Sequence, residues 1–154
     1  MQVTQHAALE SETQANGSVL VKGDQGSAHL ERLGPGVLLF TCSGFLAQPF
    51  YPPMVEIAQR EIDAARELVL LVDGWNLRSV DTAFREAWTS WFKVHRERFH
   101  MQLLVRTKLM EMAASLANLF TGLSVITTHS SIGGWERACA KSLPGFRRRE
   151  PSKR

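Results

Sequence analysis

Leu68-Val69-Leu70-Leu71-Val72-Asp73-Gly74-Trp75-Asn76-Leu77-Arg78-Ser79-Val80-Asp81-Thr82 decides the architecture. Its first five residues are unbroken apolar, the pattern of a central strand covered on both faces. Asp73–Ser79 then reads as a loop, and Asp81-Thr82 as the start of a helix extending to about Phe99. That helix carries Phe84, Trp88, Trp91, Phe92 and His95 near one side. Upstream, Pro52-Pro53 opens a helix, since proline lacks only an N–H that is unpaired there anyway. Met54, Ala58, Ile62 and Ala65 give it one apolar stripe.

Further out on the C-terminal side lie a strand at Met101–Val105, a helix at Leu109–Phe120 capped by Gly122, and a strand at Leu123–Thr127. A last helix, capped by Ser130 or Ser131, ends before Pro144-Gly145. On the N-terminal side, Ala28–Leu33 alternates, Gly34-Pro35-Gly36 turns, and Val37–Leu46 returns as the second strand of a hairpin. The order β-β-α-β-α-β-α-β-α predicts an α/β fold: a mostly parallel sheet of four to five strands, four helices, and the hairpin at one edge.

The chain of 154 residues is 44% hydrophobic and 21% charged, the size and composition of one folded domain. Its limits are expected at residues 27–143, between a flexible leader (1–26) with room for one stray strand at Val19-Leu20-Val21 and a basic flexible tail (144–154). The leader has one lysine against three acids, net −2; the tail from Arg147 has five basic residues against one acid, net +4. A short basic run beside Pro and Ser reads as a solvated end rather than a specific nucleic-acid contact. No apolar run reaches the ~18 residues of a membrane span, and Met1–Gly17 lacks the pattern of a secretory signal. With two cysteines and no CxxC spacing, a reducing cytoplasm is the expected compartment.

Chemical motifs are sparse. No GxxxxGK[ST], GxGxxG or HExxH is present, and the five histidines lack ligand spacing, so neither cofactor nor metal is expected. Ser130, Ser131, Gly133 and Gly134 read as a turn with a serine cap. Cys42 and Cys139 read as small core hydrophobes. An enzyme would have to assemble an unsignalled site, for instance from Cys42, His129 and Asp73. Trp75 is either a partner contact or a lid over the sheet end. Trp88 and Trp91 exceed what one helix face needs, and Leu109–Phe120 is apolar around most of its circumference; a partner or a second copy would use such surface.

Strand Leu68–Val72 ending in Asp73, followed by Val80-Asp81-Thr82 at a helix start, resembles the STAS domain of anti-sigma-factor antagonists and its STAS-like relatives. Those proteins carry a strand ending in Asp, a short loop, then an apolar residue before Asp-Ser-Ser-Gly. Asp73 matches the first Asp and Asp81-Thr82 the Asp-Ser pair, whereas Ala83 and Phe84 replace the second Ser and the Gly. The resemblance implies a non-enzymatic protein-interaction module of a bacterial regulatory circuit, with a signalling protein such as a kinase-like ATPase as partner. It places the contact on Asp73, Trp75, Asn76, Arg78, Asp81, Thr82 and Arg85, and regulatory phosphorylation on Thr82 or Ser79. A phosphate on Thr82 would meet the positive end of the helix dipole, with Arg78 and Arg85 near in sequence. The alternative is a binder of an apolar small molecule or lipid, which requires a cavity between helices and sheet.

Overall fold

The computed structural model describes residues 9–108, 111–112 and 125–149. They form one sheet in which strand order equals chain order. Strands β1 (Glu10–Thr13), β2 (Val19–Lys22), β3 (Gly26–Gly34) and β4 (Val37–Leu46) make an antiparallel meander. Strands β5 (Leu68–Val80), β6 (Phe99–Val105) and β7 (Ile126–His129) add in parallel. Helix α1 (Tyr51–Ala65) connects β4 to β5, α2 (Thr82–His95) connects β5 to β6, and α3 (Ile132–Ser142) follows β7. The helix expected over Leu109–Phe120 and its Gly122 cap fall largely outside the described residues.

The sheet has seven strands rather than four to five, because the domain starts before Ser27. Val21 faces the core with no exposure and pairs with Ala28. The turn before it is tied by polar side chains. Ser18 N donates to Asn16 Oδ1 at 3.0 Å, and Ser18 Oγ lies 3.1 Å from His29 Nε2 on β3. The expected hairpin is present as β3–β4, with Gly36 at φ +73° and Glu67 O only 2.8 Å from where a Cβ would stand. Residues 9–26 therefore belong to the sheet, against the expected leader.

The two faces of the sheet are covered differently. Helices α1 and α2 pack on the first face, over Leu38, Phe40, Leu70 and Leu103. Trp88 is the hub there, within 5.2–5.6 Å of the rings of Tyr51, Trp91 and Phe92. Trp88 and Trp91 are 6% and 8% exposed, so the aromatic surface expected to be left over is consumed by the core. Phe99 leaves the helix and opens β6, where it stacks on Phe92 at 4.9 Å. Gln59 serves this layer as a polar tie: its Oε1 accepts from Trp91 Nε1 at 2.9 Å and lies 3.1 Å from His95 Nε2.

The second face carries Leu39, Leu71 and Leu104 under Trp135 and Cys139 of α3 and under Phe146. Trp135 is wholly buried, meets Phe146 edge-on, and donates Nε1–H to Gln102 O. Beyond Phe146 the chain is pinned by charge. Arg148 Nε donates to Asp73 Oδ2 at 2.6 Å, and Arg149 Nη1 donates to both oxygens of Glu31 at 3.0 and 3.1 Å. The expected free tail is thus held against the domain at least as far as Arg149.

Candidate functional site

The carboxyl end of β5 is where the geometry departs from a regular sheet. β5 does not stop at Val72; it continues to Val80 along the extended end of β4, so the expected loop is strand. Pairing with β6 ends at Gly74↔Val105. Gly74 is required there, since a Cβ would lie 2.6 Å from Leu104 O. Two register shifts follow on the β4 side. Thr41 faces Asp73 but Ser43 faces Asn76; Gly44 faces Leu77 but Phe45 faces Ser79. The second shift leaves Arg78 unmatched, the two-against-one count of a β-bulge.

Strict alternation would put Ser79 on the opposite side of the strand from Asn76 and Arg78. The bulge brings all three into one surface pocket of about 710 Å³, together with Gln25, Ser43 and Arg106. Gly44, at φ +75°, lets β4 bend there: a Cβ would stand 2.2 Å from Gln25 O. Arg106 was not singled out in the sequence. Its guanidinium lies 5.5 Å from the ring centre of Trp75, which is half-buried against the second core layer.

The remaining candidate residues separate by role. Asp73 is 3% exposed, its Oδ1 accepting from Trp75 N at 3.1 Å and its Oδ2 from Arg148. It is an internal anchor, which corrects its assignment to a contact surface. Asp81 caps α2, accepting from Phe84 N at 2.7 Å through Oδ1, and its Oδ2 accepts from Gln48 N at 3.1 Å. Both carboxylate oxygens are therefore engaged within the fold. Thr82 and Arg85 are exposed on the first turns of α2. Arg78 and Arg85, both near Thr82 in sequence, line different concavities: Arg78 the polar pocket, Arg85 an apolar cavity.

That cavity, about 130 Å³, lies between α2 and the first face of the sheet. Phe40, Leu70, Met101, Leu103 and Trp88 line it, and among the described residues Arg85 and Thr89 are its only charged and hydroxyl-bearing borders. The thiols are unsuited to nucleophilic work. Burial, with a further push from Asp73, raises Cys42 to about 12; burial, Glu136 and Asp73 raise Cys139 to about 12. Cys42 belongs to the first core layer, while His129 Nε2 is 2.7 Å from Gln102 Oε1 and Asp73 is held by Arg148. No hydrogen bond joins Cys42, His129 and Asp73. Among the described residues no three metal-ligating side chains converge, and no helix is long and apolar enough to cross a membrane.

The fold has a counterpart among solved structures. An uncharacterized DUF3478-family protein with a SpoIIAA-like fold, from Shewanella loihica PV-4, superposes with a TM-score of 0.55 at 19% sequence identity, over 77% of this chain and 94% of that one. The SpoIIAA-like fold is the STAS-like fold, so the architecture implied by Asp73 and Asp81-Thr82 is supported at the level of fold. No family model and no curated protein matches the chain.

Proposed function

We propose that this protein is a non-enzymatic interaction module of a bacterial regulatory circuit, docking a partner protein on the end of β5 and the start of α2. The observation that carries the reading is the placement of Arg78 and Arg85. Both are exposed, and neither pairs with a carboxylate among the described residues, although Asp73 and Asp81 lie close in sequence. Arg78 beside Asn76 and Ser79 in the polar pocket, and Arg85 beside Thr82 at the start of α2, are two cationic patches that favour a partner presenting acidic side chains. A kinase-like ATPase is the partner class implied by the STAS-like resemblance, and homodimerisation is a rival use of the same surface. Thr82, exposed at the first position of α2, is the hydroxyl whose phosphorylation would reverse the local charge.

The test is affinity capture from native lysate with the wild type, Arg78→Glu and Arg85→Glu, each checked for fold by circular dichroism. Recovery of one dominant protein that both variants lose supports docking at this surface. Equal recovery on all three baits refutes it, and capture of the chain itself identifies a homodimer.

The apolar cavity favours a second reading, a binder of an apolar small molecule or lipid. Its described walls are nearly all hydrocarbon, with Arg85 at the border to meet a polar head. Native mass spectrometry of protein purified from its own cells tests this reading. A retained mass lost on Leu103→Trp, which fills the cavity, supports it; a bare chain in the wild type rejects it.

A further inference from the structure

The pocket at the bulged end of β5 has a chemistry of its own. Its polar side chains are the guanidiniums of Arg78 and Arg106, the hydroxyls of Ser43 and Ser79, and the amides of Asn76 and Gln25. Every one of these can donate a hydrogen bond, and among the described residues no carboxylate lines the pocket. Among acids close in sequence to the lining, Asp73 is held by Arg148, Asp81 accepts from two backbone N–H groups, and Asp24 adjoins Gln25 without entering the lining. Both arginines are exposed, so water screens their mutual repulsion, and an anion entering the pocket meets two charged donors with no carboxylate to displace. Arg106 is steadied by the Trp75 ring, and Arg78 is the residue that the bulge turns out of register.

We infer that this pocket seats the phosphate group of a small molecule. A phosphomonoester carries about 1.5 to 2 negative charges and three acceptor oxygens, which two guanidinium forks and the flanking hydroxyls match. A single carboxylate would leave one guanidinium uncompensated. The pocket is larger than phosphate alone requires and falls in the range of small-molecule sites, so the phosphate is one end of a larger ligand. The location agrees: it lies outside the carboxyl ends of β4 and β5, where open α/β sheets hold their ligands. The bulge supplies the physical reason, because a regular strand could not turn Asn76, Arg78 and Ser79 to one side.

The inference uses the same strand end as the docking reading, but its test needs no partner protein, so either can fail alone. The experiment is isothermal titration calorimetry of the full chain with inorganic phosphate, pyrophosphate and phenyl phosphate. Acetate serves as the carboxylate arm, with ionic strength matched by sodium chloride. The expected result is saturable binding of phosphate-bearing probes over acetate. Arg78→Gln and Arg106→Gln should each weaken it by about tenfold or more, the scale of one charge-assisted hydrogen bond. Arg96→Gln, an exposed arginine at the end of α2, should leave it unchanged. Ser79→Ala gives a smaller loss with no change of charge. Absence of saturable binding in the wild type overturns the inference, as does equal weakening by Arg96→Gln, which would reduce the effect to net charge. Equal affinity for acetate and phosphate would overturn the phosphate assignment.

Discussion

Arg148 Nε lies 2.6 Å from Asp73 Oδ2, joining residues 75 apart in sequence inside the second core layer. Both side chains are nearly inaccessible, at 8% and 4% exposure. A buried pair of this kind is most costly when half of it is removed, because the remaining charge loses its partner and does not regain water. Arg148→Met is therefore expected to destabilise the fold by about 3–5 kcal/mol. Asp73→Asn combined with Arg148→Met should recover part of the loss. Urea denaturation of the single and double variants checks this, and equal stability of the two would disprove the pairing.

Gly74→Ala is expected to cost about 1–3 kcal/mol, the range for a side chain forced into a filled space. The added methyl would meet the Leu104 carbonyl, so β5 and β6 must part. Gly34→Ala, where a Cβ meets nothing within 4 Å, is the comparison with little steric cost.

Asp81→Ala removes the α2 cap and the acceptor for Gln48 N together. A loss of about 1–2 kcal/mol is expected, with Asp81→Ser recovering most of it, since serine caps nearly as well. Thermal melts of the two variants separate the capping oxygen from the carboxylate charge.

Arg66 ends α1 in the left-handed region at φ +70°, while its N–H still bonds to Ile62 O. Its side chain is exposed, so little packing is lost on removal. Arg66→Gly should raise stability by about 1 kcal/mol, because glycine alone adopts that conformation without strain.

Stability should fall with acid around neutrality. His95 is lowered from the usual 6.5 by burial and by Arg98, partly offset by Asp63; His100 by burial; His129 by burial and Lys141. In each case the unfolded chain binds the proton more readily, so the stabilisation is complete above the unfolded value of 6.5 and is lost as pH drops through the folded values. Gln102 acts in the same direction at His100: its amide donates to His100 Nε2, which must stay unprotonated to accept. The melting temperature should decline between pH 7.5 and 5.5, and His100→Asn should flatten the slope; a rise on acidification would contradict the assignment.

What the sequence discloses and what it hides follow from the range of the forces. Leu68–Val72 is legible because burial on both faces forces an unbroken apolar run. Gly34-Pro35-Gly36 and Asp81 are legible because turn and cap chemistry is local. The strand through Asn76, Arg78 and Ser79 is not, since these are turn-forming residues and a bulge erases the two-residue period. β1 is hidden in polar composition, and β2 is signalled only by Val19-Leu20-Val21. The arginines of the C-terminal segment read as solvated because their acids, Asp73 and Glu31, lie 75 and 118 residues away. The site is legible in its members and not in its grouping: Arg78 and Asn76 stand out in the chain, whereas Arg106 joins them only through the fold.

The agreement of strand order with chain order bears on how the molecule is made. Each described strand pairs with the one just synthesised before it, so the sheet can lengthen edge by edge as the polypeptide emerges from the ribosome. No strand has to be threaded between two already joined. The second core layer is different: Asp73 and Glu31 are laid down early and stay uncompensated until Arg148 and Arg149 arrive. Nascent chains halted before Arg148 would thus hold a paired sheet with its apolar layers in place and two carboxylates still lacking their cations, a charge defect that Arg148 and Arg149 end.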